Sequence, residues 1–315
     1  MVLQTEPVAA DTAVHSLPPV HRRRQLKLSD LAGIAFLLPV IAFLGLFLVI
    51  PIIRGIVLSM QDWTLISFVT GEARFVGLQN FIDIVSDPDF FPISWQSLVF
   101  TVVSLVFQYA IGMGLAVFFS RRFPLSVVLR SLILLPWLLP VIVTATVWRW
   151  MFNQDYGVVN SALFGGADIG WLSNTDLSLW AVIIANIWLG IPFNMVLLYG
   201  GLQSIPESLY EAAALDGANG WRSFWSITFP LLRPVSAVTL LLGLIYTLKA
   251  FDIIWVMTRG GPVNSSHTLS TWSYQLSFEG DRALGMGAAV SQILVVITLV
   301  FGLIYLWALR REEAR

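Results

Sequence analysis

"EAAALDGANGWRSFWSITFPLLRP", residues 211–234, decides how this chain has to be read. The segments before and after it are apolar enough to live in lipid, yet this stretch reads as two short helices around an Asp-Gly corner. Pro206 suits the first turn of a helix, where its missing N–H is no loss, and Glu207 favours the positive helix start. The helix runs through "ESLYEAAALD" and stops at Gly217, because glycine tolerates the left-handed corner that closes many helices. Asn219 is placed to cap a second helix, "GWRSFWSITF", which Pro230 and Pro234 are expected to terminate before the next apolar segment. Ala212, Ala213 and Ala214 keep the first helix thin, so it can lie deep in a groove of another protein. A second reading stands beside this one: Trp221, Phe224 and Trp225 would also suit an amphipathic hairpin resting on a lipid interface.

Composition fixes the surroundings of this device. Of 315 residues, 57% are hydrophobic and 12% charged, and the mean hydropathy is +0.79. A soluble domain carries about 25% charged residues, so half that fraction describes a polytopic membrane protein. A lipid-crossing helix needs ~20 apolar residues and charges there are costly, so charge-free intervals locate the spans. Six are expected, at about 31–53, 94–119, 131–150, 179–201, 235–257 and 286–309; Arg149 marks the end of the third, and only the fifth carries charges in its interior, Lys249 and Asp252. Residues 1–29 read as a disordered cytoplasmic tail ending in a basic cluster, followed by an uncleaved first span. Lys and Arg are retained on the cytoplasmic side. With the N-terminus inside, twelve of them fall in inner segments and five in outer ones, so both termini and the 204–234 loop are expected to face the cytosol. The outer loop from Arg54 to Phe91 carries acids and aromatics and is expected to fold against the outer surface.

Several chemistries are excluded. The only lysines, Lys27 and Lys249, are not followed by Ser or Thr at the end of a glycine-rich loop, so the chain is no P-loop ATPase by itself. There is no cysteine and there are only three histidines, His15, His21 and His267, far apart in the chain or in its polar tail, which argues against a zinc hydrolase. No G-x-S-x-G elbow occurs. A net charge of −1 supplies no basic field for nucleic acid. "GMGLAV" and "GMGAAV" lie within spans, where such glycines let helices pack closely. No catalytic or metal-binding residue is expected.

The opening stretch resembles the "EAA" cytoplasmic loop of permeases from binding-protein-dependent ABC importers. Glu211, Ala212, Ala213, Asp216, Gly217, Ala218, Phe224, Ile227 and Pro230 fall at the family's places. "FVGLQNF" (75–81), "LPWLLPVIVTATVWRWMFNQDYGVVN" (135–160), "NIWLGIPFNMVLLYGGLQSIPESLYEAA" (186–213) and "FDIIWVMTRGGP" (251–262) are similar to the carbohydrate branch, the maltose and glycerol-phosphate type. The resemblance implies an all-α, six-span permease of the type I importer fold, embedded in a bacterial or archaeal cytoplasmic membrane. It implies that the loop is a coupling helix seated in a separate ATPase, and that ATP and Mg belong to two such subunits while this chain binds no cofactor. A second homologous permease, completing a heterodimer, and an extracytoplasmic sugar-binding protein complete the implied assembly.

Carried over by motif, the resemblance implies a substrate cavity lined by Trp137, Val141, Asn186, Leu189, Gly190, Phe193, Tyr246, Thr247 and Ala250. Val141, Thr247 and Ala250 replace more polar family residues, which points away from maltose itself. Asn186 at mid-span is read either as a cavity group or as an interhelical hydrogen bond. Each aromatic is read either as a sugar contact or as helix packing. Lys249 and Asp252, three apart, are expected on one face of the fifth helix, as a neutralising pair or with Lys249 reaching substrate or partner. "TRGGP" (258–262) is expected to turn the chain outside the membrane. Two alternatives remain: the same machinery importing glycerol-3-phosphate, a polyamine or another small solute, and, from another class, an ion-coupled secondary transporter.

Overall fold

The structure, a computed structural model, describes residues 28–121, 123–279 and 283–313. The expected tail therefore lies outside the described residues, except for Leu28 and Ser29, which begin a helix. The elements in chain order are helices α1 (Leu28–Leu44) and α2 (Ile50–Ser59), strand β1 (Gln61–Asp62), α3 (Leu65–Thr70), β2 (Arg74–Phe75) and α4 (Gln79–Ser86). Then come α5 (Phe90–Ser120), α6 (Ser126–Leu138), α7 (Val141–Met151), α8 (Val158–Leu163) and α9 (Ser178–Gln203). The chain closes with α10 (Glu207–Leu215), α11 (Gly220–Ser223), α12 (Phe229–Leu248), α13 (Asp252–Met257), α14 (Leu269–Phe278) and α15 (Leu284–Glu313).

Among the described residues, five helical segments are long and apolar enough to cross a membrane, or six if a bent pair counts as one span. They are Phe36–Ser59, Phe90–Ser120, Ser178–Gln203, Gly220–Leu248 and Leu284–Tyr305, with α6 and α7 as the bent pair. Residues 28–52 belong to a unit of their own, helical throughout, with the side chains of residues 36–52 exposed. A π-turn at Gly45–Val49 joins α1 to α2.

The described residues from Ile53 onward belong to a second unit, in which they form three buried clusters. Phe100, Ala145, Ile183 and Ile254 bring together α5, α7, α9 and α13. Met113, Met195, Leu198 and Leu232 join α5, α9 and α12. Ile84, Ile93, Trp272 and Val290 join α4, α5, α14 and α15. The most extensive helix pair is α5 with α9, and the sequence explains why. A Cβ at Gly112 would stand 2.6 Å from the Asn194 Cβ and 3.1 Å from the Met195 backbone nitrogen, so only glycine permits this approach. Gly285 and Gly287 likewise sit against Gln61 and Ser277, whereas Gly114 meets nothing within 4 Å. Three of the four glycines in the two GMG motifs are thus packing glycines. The segment between Arg54 and Phe91 folds as β1 paired antiparallel with β2, plus α3 and α4. Buried Asn80 donates from Nδ2 to the Ser59 and Gln61 carbonyls, each at 2.9 Å.

Three expectations are corrected. The third span is not one straight helix: α6 and α7 meet at 97°, across Leu139 and Pro140. Proline disfavours helical geometry in the residue before it, and Leu139 is accordingly extended, with ψ 144°. Pro230 and Pro234 do not stop the second hairpin helix, because α11 continues through a π-turn (Phe224–Thr228) into α12. The wider turn shifts the hydrogen-bond register, with the Phe229 N–H reaching Phe224, so the missing donor of Pro230 falls in the first turn of the resumed helix. Third, Lys249 and Asp252 do not share a helix face, since α12 ends at Leu248 and α13 begins at Asp252.

Candidate functional site

The breaks in α6–α7 and α12–α13 open on one cavity of about 410 Å³, within the usual size range of small-ligand sites. All nine residues named for a cavity from the sequence line it: Trp137, Val141, Asn186, Leu189, Gly190, Phe193, Tyr246, Thr247 and Ala250. Lys249 and Asp252 line it as well, together with Gln108, Leu139, Gly243, Phe251 and Ile253. Four helical segments converge here, from positions separated by more than a hundred residues.

One wall is aromatic. Trp137 and Phe193 stand 6.0 Å apart, and Phe193 meets Tyr246 edge-on at 5.8 Å. Trp137 and Tyr246 are half-exposed, so their faces are available as flat apolar platforms. Trp148 and Trp188, by contrast, meet edge-on at 5.9 Å beside the Phe152 ring and belong to packing.

The charges sit at the helix break. Lys249 follows the last turn of α12 and Asp252 opens α13. A cation at a helix C-terminus and an anion at an N-terminus each meet the opposite partial charge of the backbone, which makes both tolerable in an apolar setting. The Lys249 ammonium lies over the Tyr246 ring, 5.1 Å from its centre. Beside them the Ala250 carbonyl, released by the break, accepts from Ser270 Oγ at 2.7 Å.

The polar side of the cavity lies between α5 and α9. Gln108 is 4% exposed and donates from Nε2 to the Asn186 carbonyl at 2.8 Å. One turn on, Asn194 donates to the Gly190 carbonyl at 2.9 Å. Asn186 is 6% exposed, and its side-chain nitrogen has no partner among the described residues. A buried donor left so costs about 1–3 kcal/mol. The interhelical bond at Asn186 thus goes to its backbone oxygen, and the side-chain nitrogen, itself buried, is left without an acceptor among the described residues. Gln108 was missed in the sequence because none of the stretches that carried the family resemblance includes it.

The hairpin lies apart from the cavity. In α10 no residue is buried, and Leu215 is 90% exposed. Gly217 takes φ +76°, and the Ala218 N–H reaches back to the Ala213 carbonyl at 2.9 Å, closing the helix in a left-handed corner. Asn219 accepts from the Arg222 N–H at 2.9 Å and caps α11. Tyr210 Oη and Thr228 Oγ1 lie 2.9 Å apart and tie the two arms. Glu211, Ala212, Asp216 and Gly217 are exposed, Ala213, Ala218, Phe224, Ile227 and Pro230 half-buried. Trp221 and Trp225 meet edge-on at 5.8 Å on the outer side.

Opposite charges at a broken helix, an aromatic wall and an unpartnered amide, gathered at one cavity among helices long and apolar enough to cross a membrane, are features of a polytopic transport protein. The chain belongs to the family of binding-protein-dependent transport system inner membrane components, whose pattern matches residues 108–314. It is 35% identical over 277 residues to the trehalose/maltose transport system permease protein MalF of Thermococcus litoralis, covering 87% of this chain and 92% of that one. It is 33% identical over 295 residues to the sulfoquinovosyl glycerol transport system permease protein SmoG of Agrobacterium fabrum, covering 92% and 94%. In fold it is similar to a chain of a bacterial ABC transporter involved in the import of the acidic polysaccharide alginate, with a TM-score of 0.77, 25% identity, and 90% and 96% coverage.

Proposed function

We propose that this chain is a non-catalytic permease subunit that passes a carbohydrate across the cytoplasmic membrane by alternating access, driven by a separate ATPase. The observation that carries the reading is the convergence of Trp137, Phe193, Tyr246 and Asn186 on one cavity. Sugars are bound by flat apolar faces together with hydrogen-bond donors and acceptors, and this lining supplies both. The sugar-transport relatives support the substrate class.

The hairpin supplies the mechanical link. A short helix with no buried residue, a corner fixed by Gly217 and a capped second helix form a rigid projection suited to a groove in another protein. Because α11 runs through the π-turn into α12, and α12 lines the cavity through Gly243, Tyr246 and Thr247, a push on the hairpin is transmitted along one helix to the site. The partners in this reading are a second homologous permease, two ATPases that hold ATP and Mg, and an extracytoplasmic sugar binder. Both termini and the hairpin face the cytosol, as the Lys and Arg distribution supports.

Two measurements test the reading. The chain has no cysteine, so single cysteines report sidedness without background. L215C is expected to react with a membrane-impermeant maleimide only from the cytosolic side, and V263C, at an equally exposed loop, only from outside; the reverse pattern would refute the orientation. Reconstituted with its partners, the chain is expected to take up sugar only with ATP. Uptake by the purified chain alone under a proton or sodium gradient would make it a secondary transporter.

A further inference from the structure

We propose that Gln108 is a positioning residue of the cavity, holding the Asn186 turn of α9 so that the Asn186 amide donates to a hydroxyl oxygen of the passing sugar. The inference rests on the reading that this cavity receives carbohydrate, and adds a residue from α5, a helix that none of the motif-derived cavity positions occupies. Three observations carry it. Gln108 Nε2 donates to the Asn186 carbonyl at 2.8 Å, a bond between two helices at membrane depth. The carboxamide of Gln108 occupies a notch that exists only because residue 190 is glycine; a Cβ there would overlap all three of its terminal atoms. The Asn186 side-chain nitrogen, in a residue 94% buried that lines the cavity, has no acceptor among the described residues.

The parts fit one function. A glutamine buried in a membrane helix is costly unless its amide is bonded, and here the bond lands on the residue whose own side chain is left over. Gly190 is thereby explained as the seat of Gln108, as well as a lining residue. If Gln108 only filled space, an apolar group in the notch would serve as well. If it orients Asn186, only an amide donor will.

That contrast gives the experiment. The complete importer is reconstituted in nanodiscs without its sugar-binding protein, and direct binding of radiolabelled trehalose, maltose and lactose is measured alongside the melting temperature. Q108A is expected to weaken binding of the accepted sugar at least tenfold and to lower the melting temperature. In Q108A/G190A the new methyl refills the notch, so the melting temperature recovers while binding stays weak. N186A is expected to weaken binding to the same degree, and Q108A/N186A no further, since the two act through one contact. Recovery of binding together with melting temperature in Q108A/G190A would reduce Gln108 to packing and overturn the proposal alone. Absence of binding to the wild-type importer of all three and of a wider panel of mono- and oligosaccharides and glycosides would overturn the carbohydrate reading and the proposal with it.

Discussion

The hairpin at 207–223 and the cavity are built by opposite means. In the hairpin every structural decision is made within a few residues: Pro206 starts the helix, Gly217 turns it, Asn219 restarts it, and nothing in α10 is buried. In the cavity no decision is local. Gln108 has meaning only against Asn186 and Gly190, and Trp137 only against Phe193 and Tyr246. The hairpin resembles a tool shaped before assembly, whereas the cavity exists only once four segments have packed. Substitutions should therefore fail differently in the two places: in the hairpin by backbone geometry, and around the cavity by steric overlap and unpaired polar groups.

The largest effect is expected at Gly217. A Cβ there meets nothing within 4 Å, so the only obstacle to substitution is φ +76°. A β-branched residue is strained in that region by about 1–3 kcal/mol, comparable with the stability of one short exposed helical turn. G217V is expected to abolish ATP-driven uptake while leaving the protein assembled in the membrane. G217N, which tolerates the left-handed region, should retain most uptake. Equal loss in both variants would show that the hairpin is read by a contact at position 217 and not by its shape.

The packing seam predicts a contrast between two glycines two residues apart. G112A forces a methyl into Asn194 and the Met195 backbone, and overpacking of this kind costs about 1–3 kcal/mol. G114A meets nothing within 4 Å and should be neutral, or slightly stabilising through helix propensity. Thermal unfolding of the purified protein measures both. A seam that accepts alanine at 112 would mean that α5 and α9 can separate at little cost, which would remove the steric argument for the cavity's shape.

How much of this was legible beforehand follows from the same division. Gly217 and Asn219 act on their own backbone, and the sequence announces them through residue type. The positions lining the cavity came from motif resemblance, because nothing in the local sequence around Trp137 points toward Tyr246. The bend between α6 and α7 was hidden because the absence of charge measures apolarity, which a 97° turn leaves unchanged. The break at 249–251 contains neither glycine nor proline, so the spacing of Lys249 and Asp252 read as one helical face. The structure shows instead that each charge matches a helix end. Pro230 and Pro234 misled in the other direction, since the π-turn at Phe224–Thr228 absorbs what an ordinary helix would not.

The mildest effect near neutral pH is expected at a third region, the loop from Thr258 to Thr268, which, like the cavity, depends on distant partners. Asn264 donates to Asp89 at 2.8 Å, the hydroxyls of Ser178 and Ser265 meet at 2.8 Å, and the Leu269 N–H donates to Ser97 Oγ at 2.8 Å. His267, 1% exposed, lies at the centre with its ring against Gly260 and its Nδ1 3.0 Å from Thr271 Oγ1. Burial lowers its pKa from 6.5 to about 4, because the charged imidazolium is poorly solvated there. In the unfolded loop the ring gains its proton near 6.5 and in the folded loop only near 4, so the folded form holds fewer protons between those values. Loop stability is therefore full above pH 6.5 and falls as pH drops through that window, by about 1.4 kcal/mol by pH 5.5. Hydrogen exchange at the amides of Ser266 and Leu269 should accelerate about tenfold between pH 7.5 and 5.5, after correction for intrinsic rates. H267Q should flatten that dependence, and the hairpin amides of α10 should show none. An acid dependence that survives H267Q would move the titrating group elsewhere and leave the loop's hydrogen bonds, not its buried imidazole, as the source of its order.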